Sequence, residues 1–557
     1  MSDVPATTPT APSPHGVPLR GLDSVSASSN DEGRFGRMFR RLPLTEVMPE
    51  SLVALGRAMI QQPEDGALDK ALGQADDDEN TAVLADGTLR LPAGYTYFGQ
   101  FVDHDITFDP ASSLTRQNDP DALTDFRTPR FDLDSLYGRG PADQPYLYEP
   151  DGLRLRVGAD LNSSDPSTDG PDLLRVGNTD RAVIGDPRND ENKIVSQLQS
   201  AMIQFHNAVV NQTVADHPEL SLADQFKLAQ RTVRWHYQWI VVHDFLRRLV
   251  GNEVVADILR GEPFVVSTDP AATAQVVQPL LRFYRWRETP FMPIEFSVAA
   301  YRFGHSMARP SYAINDVIPL PLPMPADDPS GPTATRIPLF SKSTERTANL
   351  NGFGVVPQQW GIQWKFFLPN IVEPAGPNDA HLPQPSYKLD AQLSFPLGAL
   401  PPSTSAPELI VQGQDESIAQ ILAVRNLLRG QRLGVPAGQD VARAMGIEPL
   451  TDAQLFDSLA VDDGVKQDLA GRAPLWFYVL KEAELLTGSA HLGPVGGRIV
   501  AEVLVGLLDG DPLSFLSVDP TWTPTLPGLT PDDFTLSDLI NFARPNLGGP
   551  KPTTYGH

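Results

Sequence analysis

The sequence predicts a mainly α protein, with a single large helical domain, long irregular loops and very little β structure. Apolar residues recur at helical spacing over long segments, most clearly 192–213 and 222–250. Proline is about twice as frequent as in an average protein. Many of the 54 prolines lie between the helical segments. We find no alternating strand series, internal repeat or Gly-rich phosphate loop, so we expect ordered loops that wrap around helices.

The same apolar periodicity predicts the remaining helices in the second half of the chain. They fall at 414–429, 436–445, 464–487 and 494–508. Irregular, Pro-rich stretches lie at 306–345, 370–408 and 510–530. These stretches interrupt the helical pattern because proline removes a backbone donor and fixes φ.

The composition predicts three parts along the chain. Residues 1–33 are rich in Pro, Ser, Thr and Gly and read as a disordered arm. Residues 34–510 form the predicted domain. Residues 511–557 form a Pro/Gly-rich extension that packs on the domain or trails from it, with one short apolar stretch around Leu536 and Phe542.

Charge and cysteine content exclude several classes of function. The formal net charge of -25 argues against a nucleic-acid partner, because phosphates need a basic surface. The chain has no cysteine, which excludes disulfides, thiolate metal sites and cysteine nucleophiles. No apolar run approaches the roughly 20 residues that span a bilayer. The first residues lack a secretory signal pattern, so we expect a cytoplasmic protein, although leaderless secretion also suits an acidic chain with a disordered arm.

Residues 98–105 are the most informative segment for chemistry. If the segment is helical, Gln100, Asp103 and His104 share one face, because positions three and four apart are neighbours on a helix. Asp105 then points to another side. A histidine between acids is often only solvated, but the flanking residues are too apolar for an exposed face, and a buried acidic pair needs a partner or a cation. The pattern therefore favours a catalytic pocket tied to a structural ion.

A second acidic segment follows at 128–134. Asp132 and Asp134 alternate with other residues, so an extended loop turns both carboxylates to one side. The carbonyls of Thr128 and Arg130 can add to them, and calcium takes six to eight oxygen ligands. Together with Asp105 the loop offers three carboxylates. The alternative is a solvated turn.

Three further segments carry groups that suit a metal or an anion. Arg188 stands three residues before Glu191 and supplies fixed positive charge, or the pair belongs to a helix cap. His305 follows a glycine that lets a bulky partner approach the backbone, and its neutral imidazole suits an axial iron ligand. The alternative is that His305 is a buried histidine bonded to a carbonyl. Asn426 can accept a hydrogen bond from such a ring, or it lies in a basic loop.

In this order the segments resemble the animal-type haem peroxidases of the peroxidase–cyclooxygenase superfamily, from about residue 35 to about residue 480. The resemblance implies haem b as the cofactor. It implies roles for these residues: His104 as distal base, Gln100 as its pocket neighbour, Arg188 as catalytic arginine, Asp103 and Glu191 as haem-esterifying carboxylates, His305 as iron ligand with Arg302 beside the cofactor, and Asn426 as acceptor for the His305 ring N–H.

The resemblance also implies one calcium ion. Its ligands would be Asp105, Thr128, Arg130 through its carbonyl, Asp132 and Asp134. The chain departs from the family pattern at two positions, one in the calcium loop and one after Glu191. Many members have a serine where this chain has Asp134, which keeps the oxygen and adds a charge. The myeloid-type enzymes have a methionine where this chain has Asn192, so their third haem link is absent. The lack of disulfides suggests a bacterial-type relative.

The implied activity is reduction of hydrogen peroxide, with oxidation of halide, thiocyanate or small aromatic donors. Two alternatives stay open. Fatty-acid dioxygenases of the same superfamily use a tyrosine three residues before the proximal histidine. Here that position is Arg302, and Tyr301 is one residue too early and is expected to face away. The second alternative is a haem-binding or adhesion protein that has lost catalytic turnover. The sequence does not choose the electron donor or the oligomeric state.

Overall fold

The computed structural model describes these residues: 33–61, 91–108, 119, 123–161, 170–177, 179–260, 264–265, 275–276, 279–316, 318, 336–341, 346–372, 383–401, 414 and 416–544. The predicted arm at 1–33 lies outside them except for Gly33, which begins the first strand. No helix of the described part is both long and apolar enough to cross a membrane.

Helices dominate the described residues, so the predicted mainly α fold class is confirmed. The α-helices are α1 Pro49–Ala58, α2 Gly94–Ile106, α3 Asp134–Tyr137, α4 Lys193–Asp216, α5 Leu222–Trp239, α6 Arg247–Val250, α7 Asn252–Leu259, α8 Ile294–Ser297, α9 Leu422–Leu433, α10 Gly438–Ala444, α11 Asp452–Phe456, α12 Asp463–Leu469, α13 Leu475–Thr487, α14 Pro494–Asp509, α15 Phe515–Val518 and α16 Leu536–Ala543. A π-helical segment, Ile240–Leu246, joins α5 to α6. The 3₁₀ turns are Pro145–Leu147, Pro187–Asp190, Ala300–His305, Trp364–Phe366, Phe395–Gly398 and Glu416–Gln420.

Strands are short and few among the described residues. They are β1 Gly33–Gly36, β2 Thr124–Asp125, β3 Phe264–Val265, β4 Gln275–Val276, β5 Met292–Pro293, β6 Ser311–Ala313 and β7 Arg336–Pro338. β1 pairs antiparallel with β2 and parallel with β5, whereas β3–β4 and β6–β7 are separate antiparallel pairs.

The helices predicted at 192–213, 222–250 and 494–508 are confirmed, whereas two other predictions differ. The 414–429 pattern forms the 3₁₀ turn Glu416–Gln420 before α9 begins at Leu422. The 192–213 pattern forms α4, whose start is fixed by Asn192, because its side chain accepts from the backbone N–H groups of Ile194 and Val195. The 464–487 pattern is interrupted between α12 and α13. Gly471 has φ +70°, and Pro474 immediately precedes α13. A glycine in the left-handed region followed by proline ends one helix and starts another.

The packing of α2 against α5 forms part of the hydrophobic core. Phe98 and Phe101 of α2 are fully buried and pack edge-on against Tyr237 of α5, with ring centroids 6.0 Å apart in both pairs. Burying each such side chain contributes about 1.5–3 kcal/mol. The apolar side of α2 is thereby fixed against α5, which sets the direction of its other side.

The described part of the predicted extension, residues 511–544, packs on this core. Leu536, Leu539 and Ile540 of α16 are fully buried, and α16 lies against α4. The buried carboxylate of Asp244 accepts from the Leu536 N–H at 2.9 Å. His236 Nε2 accepts from two further N–H groups of the same segment, those of residues 525 and 526. The exact boundaries of the predicted domain stay a prediction.

Candidate active site

A cavity of about 410 Å³ is lined by side chains from several segments. Helix α2 and the 3₁₀ turn Pro187–Asp190 contribute His104 and Arg188. The 3₁₀ turn Ala300–His305 and helix α9 contribute His305 and Asn426. Segments far apart in the sequence are therefore brought to one space.

Helix α2 divides its polar side chains between two sites, as the spacing predicts. Gln100, Asp103 and His104 line the cavity. Asp105 is fully buried and points to the loop at 132–134 instead. One helix therefore connects the cavity to a separate cluster of carboxylates.

The imidazole of His104 is oriented by a buried amide pair. Its Nδ1 lies 2.7 Å from Oδ1 of Asn189, whose Nδ2 donates to Oε1 of Gln199 at 2.8 Å. Asn189 and Gln199 are fully buried. An amide oxygen facing Nδ1 requires the proton on Nδ1, which leaves the lone pair of Nε2 as the base. Burial, followed by the charge of Arg188, lowers the pKa of His104, so the ring is neutral at ordinary pH.

Arg188 is held by several acceptors at once. Its Nη2 donates to the carbonyl oxygens of His104 at 2.9 Å and Thr107 at 2.7 Å. Its Nε and Nη2 also contact the buried carboxylate of Asp186, which caps the turn by accepting from the Arg188 backbone N–H. The guanidinium stacks over the Phe108 ring at 4.6 Å. A fixed positive charge is thereby held against one wall of the cavity.

The two predicted ester carboxylates also face the cavity. Glu191 Oε2 accepts from Gln100 Nε2 at 3.1 Å and lies 4.0 Å from His104 Nε2. Asp103 Oδ2 lies 3.8 Å from Nη1 of Arg302. The side chain of Asp103 is 13% exposed and that of Glu191 is 36% exposed. Both carboxylates are thus accessible from the cavity and come from different segments.

The predicted partner of His305 is in place, but its amide is turned. Nδ2 of Asn426 lies 2.8 Å from Nδ1 of His305, whereas the sequence predicted the amide oxygen there. With Nδ2 donating, the ring proton sits on Nε2, and that nitrogen has no lone pair for a metal. Rotation of the amide by half a turn places Oδ1 at the same point. Burial, followed by the nearby Arg302, lowers the pKa of His305 to about 3, so the ring is neutral.

Tyr301 corrects one expectation from the sequence. It was expected to face away, yet it lines the cavity. The segment is a 3₁₀ turn rather than an α-helix, so the angular spacing assumed for an α-helix does not apply. The Tyr301 hydroxyl donates to the Gly99 carbonyl of α2 at 3.3 Å, and its ring stacks on Phe296 at 4.6 Å.

The acidic cluster consists of Asp105, Asp132 and Asp134, with one oxygen from each within 4.8 Å of the others. The loop is not extended as predicted. Leu133 has φ +57°, and Asp134 begins α3, so a left-handed residue turns the two carboxylates together. Burial and the neighbouring carboxylates raise the pKa of Asp105 well above its usual range. Carboxylates this close repel each other unless a cation joins them.

Known proteins resemble part of this chain in sequence and nearly all of it in fold. Residues 115–322 match the family model described as animal haem peroxidase. The match covers 208 of the 557 residues, less than half of the chain. The matched stretch is similar to animal haem peroxidases. It contains the 128–134 loop, Arg188 and His305, whereas His104 and Asn426 lie outside it.

The curated relatives that this chain resembles are distant. Dual oxidase of Drosophila melanogaster is 23% identical over 141 residues, and Dual oxidase 1 of Caenorhabditis elegans is 26% identical over 143 residues. Each match covers 25% of this chain and 8% of the relative. The chain therefore spans less than a tenth of the length of these curated relatives.

Solved structures share the fold over nearly the whole chain. Peroxidase A from Dictyostelium discoideum has a TM-score of 0.54 and 14% identity, covering 94% of both chains. The fatty acid alpha-dioxygenase of Arabidopsis thaliana has a TM-score of 0.53 and 15% identity, covering 93% of this chain and 78% of that one. At these identities the likeness establishes the haem peroxidase fold.

Sequence reasoning missed four residues that hold the site. Asn189 and Gln199 orient His104, and Asp186 holds Arg188. Arg127 connects Asp186 to the acidic cluster. Asn189 lies inside the segment 188–191 that the sequence analysis singled out. Its partner, His104, lies on α2, so only the tertiary contact between them gives Asn189 a role.

Proposed function

We propose that this chain is a haem peroxidase that reduces hydrogen peroxide and oxidises a small anionic or aromatic donor. The observation that carries the proposal is the pair of neutral imidazoles that line one cavity. His104 is kept as a base by Asn189, with Arg188 beside it, and His305 lines the same cavity next to Asn426. A base, a fixed positive charge and a metal ligand around one space suit the reduction of a peroxide.

The residues present fit haem b. The neutral imidazole of His305 would ligate iron once the Asn426 amide turns its oxygen to Nδ1. Asp103 and Glu191 would form the ester links, and Arg302, Arg425 and Arg429 line the same cavity with positive charge that suits the carboxylates of a porphyrin. When bound, the haem supplies the iron that coordinates and reduces peroxide.

The protein's own part of the reaction is proton handling and charge stabilisation. Nε2 of His104 takes the proton of incoming peroxide and returns it to the outer oxygen, which leaves as water. Arg188 stabilises the negative charge that develops as the O–O bond breaks. Neither group must reorganise, because Asn189 holds the first and Asp186 holds the second.

The cavity lining supports the proposed donor class. It combines apolar side chains such as Leu339, Phe340 and Phe353 with arginines. Phe353 is 46% exposed with φ +57°, while its N–H donates to the Asp190 carbonyl at 2.7 Å. A small aromatic molecule can stack there, and halide or thiocyanate can approach the arginines.

The test is an absorption spectrum of the haem-loaded, full-length protein before and after one equivalent of hydrogen peroxide. We expect a Soret band of a histidine-ligated haem that changes within seconds of mixing. Haem binding without any change on adding peroxide would contradict peroxidase activity. A chain that takes up no haem under adequate supply would favour the non-catalytic adhesion role.

We also propose that the acidic cluster binds one calcium ion. The fit rests on three carboxylate oxygens gathered by buried Asp105 and a left-handed turn at Leu133, with carbonyls of Thr128 and Arg130 nearby as further ligands. Calcium would hold the start of α3 against α2.

Replacement of Asp105 tests the ion and its structural role. For Asp105→Asn, we expect calcium affinity to fall by at least about tenfold and the gain in melting temperature on adding calcium to disappear. Isothermal titration calorimetry and calcium-dependent melting measure both. The control is Asp143→Asn, an acid on the surface near Arg139. Unchanged calcium affinity in Asp105→Asn would show that the cluster is not the calcium site.

Fatty-acid oxygenation is the second candidate, because Tyr301 lines the cavity and two similar folds are alpha-dioxygenases. Oxygen uptake with palmitic acid, compared between wild type and Tyr301→Phe, separates the two functions. Uptake that needs the Tyr301 hydroxyl would favour the dioxygenase. Donor oxidation by peroxide that is unchanged in Tyr301→Phe would favour the peroxidase.

A further inference from the structure

Arg127 lies between the acidic cluster and the cavity. Its Nη1 is 3.1 Å from Oδ1 of Asp134 in the cluster. Its Nε and Nη2 donate to Oδ2 of Asp186 at 3.1 and 2.5 Å, and Nη2 also reaches the Gly185 carbonyl at 3.3 Å. The Arg127 side chain is 13% exposed and that of Asp186 is 1% exposed. One guanidinium therefore bridges two largely buried carboxylates.

Asp186 is itself shared between two arginines. Its Oδ1 accepts from the backbone N–H of Arg188 at 2.8 Å and from its Nε at 3.1 Å, and its Oδ2 lies 2.8 Å from Arg188 Nη2. The two guanidiniums lower the pKa of Asp186, so its charge is present at ordinary pH. Charges alternate along the row Asp134, Arg127, Asp186 and Arg188, which leads from the cluster to the cavity wall.

We infer that Arg127 couples cation binding at the acidic cluster to the position of Arg188. The inference rests on the proposed calcium site, and it makes Arg127 a positioning residue. A cation that takes the carboxylate of Asp134 displaces the charge of Arg127 from it. Arg127 then binds Asp186 more fully, and Asp186 holds Arg188 less tightly. The coupling works in both directions, because linkage between two binding events is reciprocal.

The arrangement suits coupling for a physical reason. A planar guanidinium presents its donors as a fork and can engage two carboxylates at once, which an ammonium does less well. In a largely buried row each charge is screened weakly, so a change at one end alters the balance at the next pair. Asp134 is the cluster member that Arg127 contacts. Its carboxylate is the acceptor for Arg127 on the side of the acidic cluster.

The test is a cycle of variants in the full-length, haem-loaded protein: wild type, Arg188→Gln, Arg127→Gln and the double variant. The calcium dissociation constant is measured by titration calorimetry after chelation. In Arg188→Gln, Asp186 loses one partner and draws Arg127 away from Asp134. We therefore expect calcium to bind at least about fivefold more tightly, the lower end of usual coupling factors. In the Arg127→Gln background the same change should have no effect.

Arg498→Gln is the matched control, because Arg498 is also largely buried and also binds two carboxylates, those of Asp257 and Glu502, but it lines neither the cavity nor the cluster. It should leave calcium affinity within twofold of wild type. An equal effect of Arg188→Gln in both backgrounds would show direct action through space and overturn the inference, as would no effect in either. Where Arg127→Gln does not fold, Arg127→Lys serves in the cycle, with a smaller coupling factor expected.

The outcomes also separate this inference from the proposed function. The same titration on protein purified without haem tests the coupling independently of peroxide chemistry. A wild type that binds no calcium overturns both the coupling and the calcium proposal, while a Soret response to peroxide would still support the peroxidase.

Discussion

His104→Ala should slow the reaction with hydrogen peroxide by about 10²- to 10⁴-fold, the usual contribution of a positioned general base. His104 faces the cavity, and its other nitrogen is bonded to Asn189. Alanine removes the base while leaving Arg188 with its contacts to Asp186. Stopped-flow measurement of the Soret change at several peroxide concentrations gives the second-order rate constant.

The pH dependence gives this prediction a second readout. The base is active only when neutral, and burial lowers the pKa of His104 from its ordinary value near 6.5. The wild-type rate constant should therefore stay flat at neutral pH and fall only in acid, below that ordinary value. His104→Ala should lose this acid limb, because the titrating group is gone.

Asn189→Asp should move the acid limb to higher pH without removing the base. A carboxylate facing Nδ1 of His104 stabilises the protonated ring, so it raises the pKa. The change should be tolerated by the fold. Gln199 Nε2 makes no hydrogen bond in the described structure, so the Gln199 amide can turn to donate to the new carboxylate. A pH profile identical to wild type would contradict the role assigned to Asn189.

His217→Ala is the control for this series, because His217 is 46% exposed and lies at the end of α4. It should react with peroxide at the wild-type rate. If His104→Ala also reacts at the wild-type rate, another group supplies the base, and the distal assignment is wrong.

His305→Gly should abolish the spectrum of a histidine-ligated haem. His305 is half-buried and neutral, and it lines the same cavity as His104 at the end of the 3₁₀ turn Ala300–His305. Glycine removes the imidazole and leaves a space of its shape. We expect haem affinity to fall by at least about tenfold, and the peroxide reaction to be lost.

Added imidazole distinguishes a lost ligand from a lost fold. In His305→Gly, millimolar imidazole should restore the Soret position and part of the reaction, because the free ring can occupy the space beside Asn426. His206→Gly is the comparison, since His206 is buried among Tyr137 and Leu153 away from the cavity. Rescue in both variants, or in neither, would contradict His305 as the ligand.

The sequence by itself determined the helical class and which segments carry chemistry. Helical spacing placed the starts of α4 and α5 to within one residue, because long amphipathic patterns are strong local signals. It also separated the cavity-facing side of α2 from Asp105, because that division depends only on the angle between successive residues of a helix.

Only the tertiary structure decided how those segments act on each other. Asn189 orients His104 from another segment, Arg127 joins the acidic cluster to Asp186, and Tyr301 lines the cavity because its turn is 3₁₀. These contacts join residues that are distant in sequence or depend on local geometry. A periodic pattern encodes the direction in which a side chain points from the axis of its helix. The identity of the partner that the side chain meets depends on how the whole chain packs.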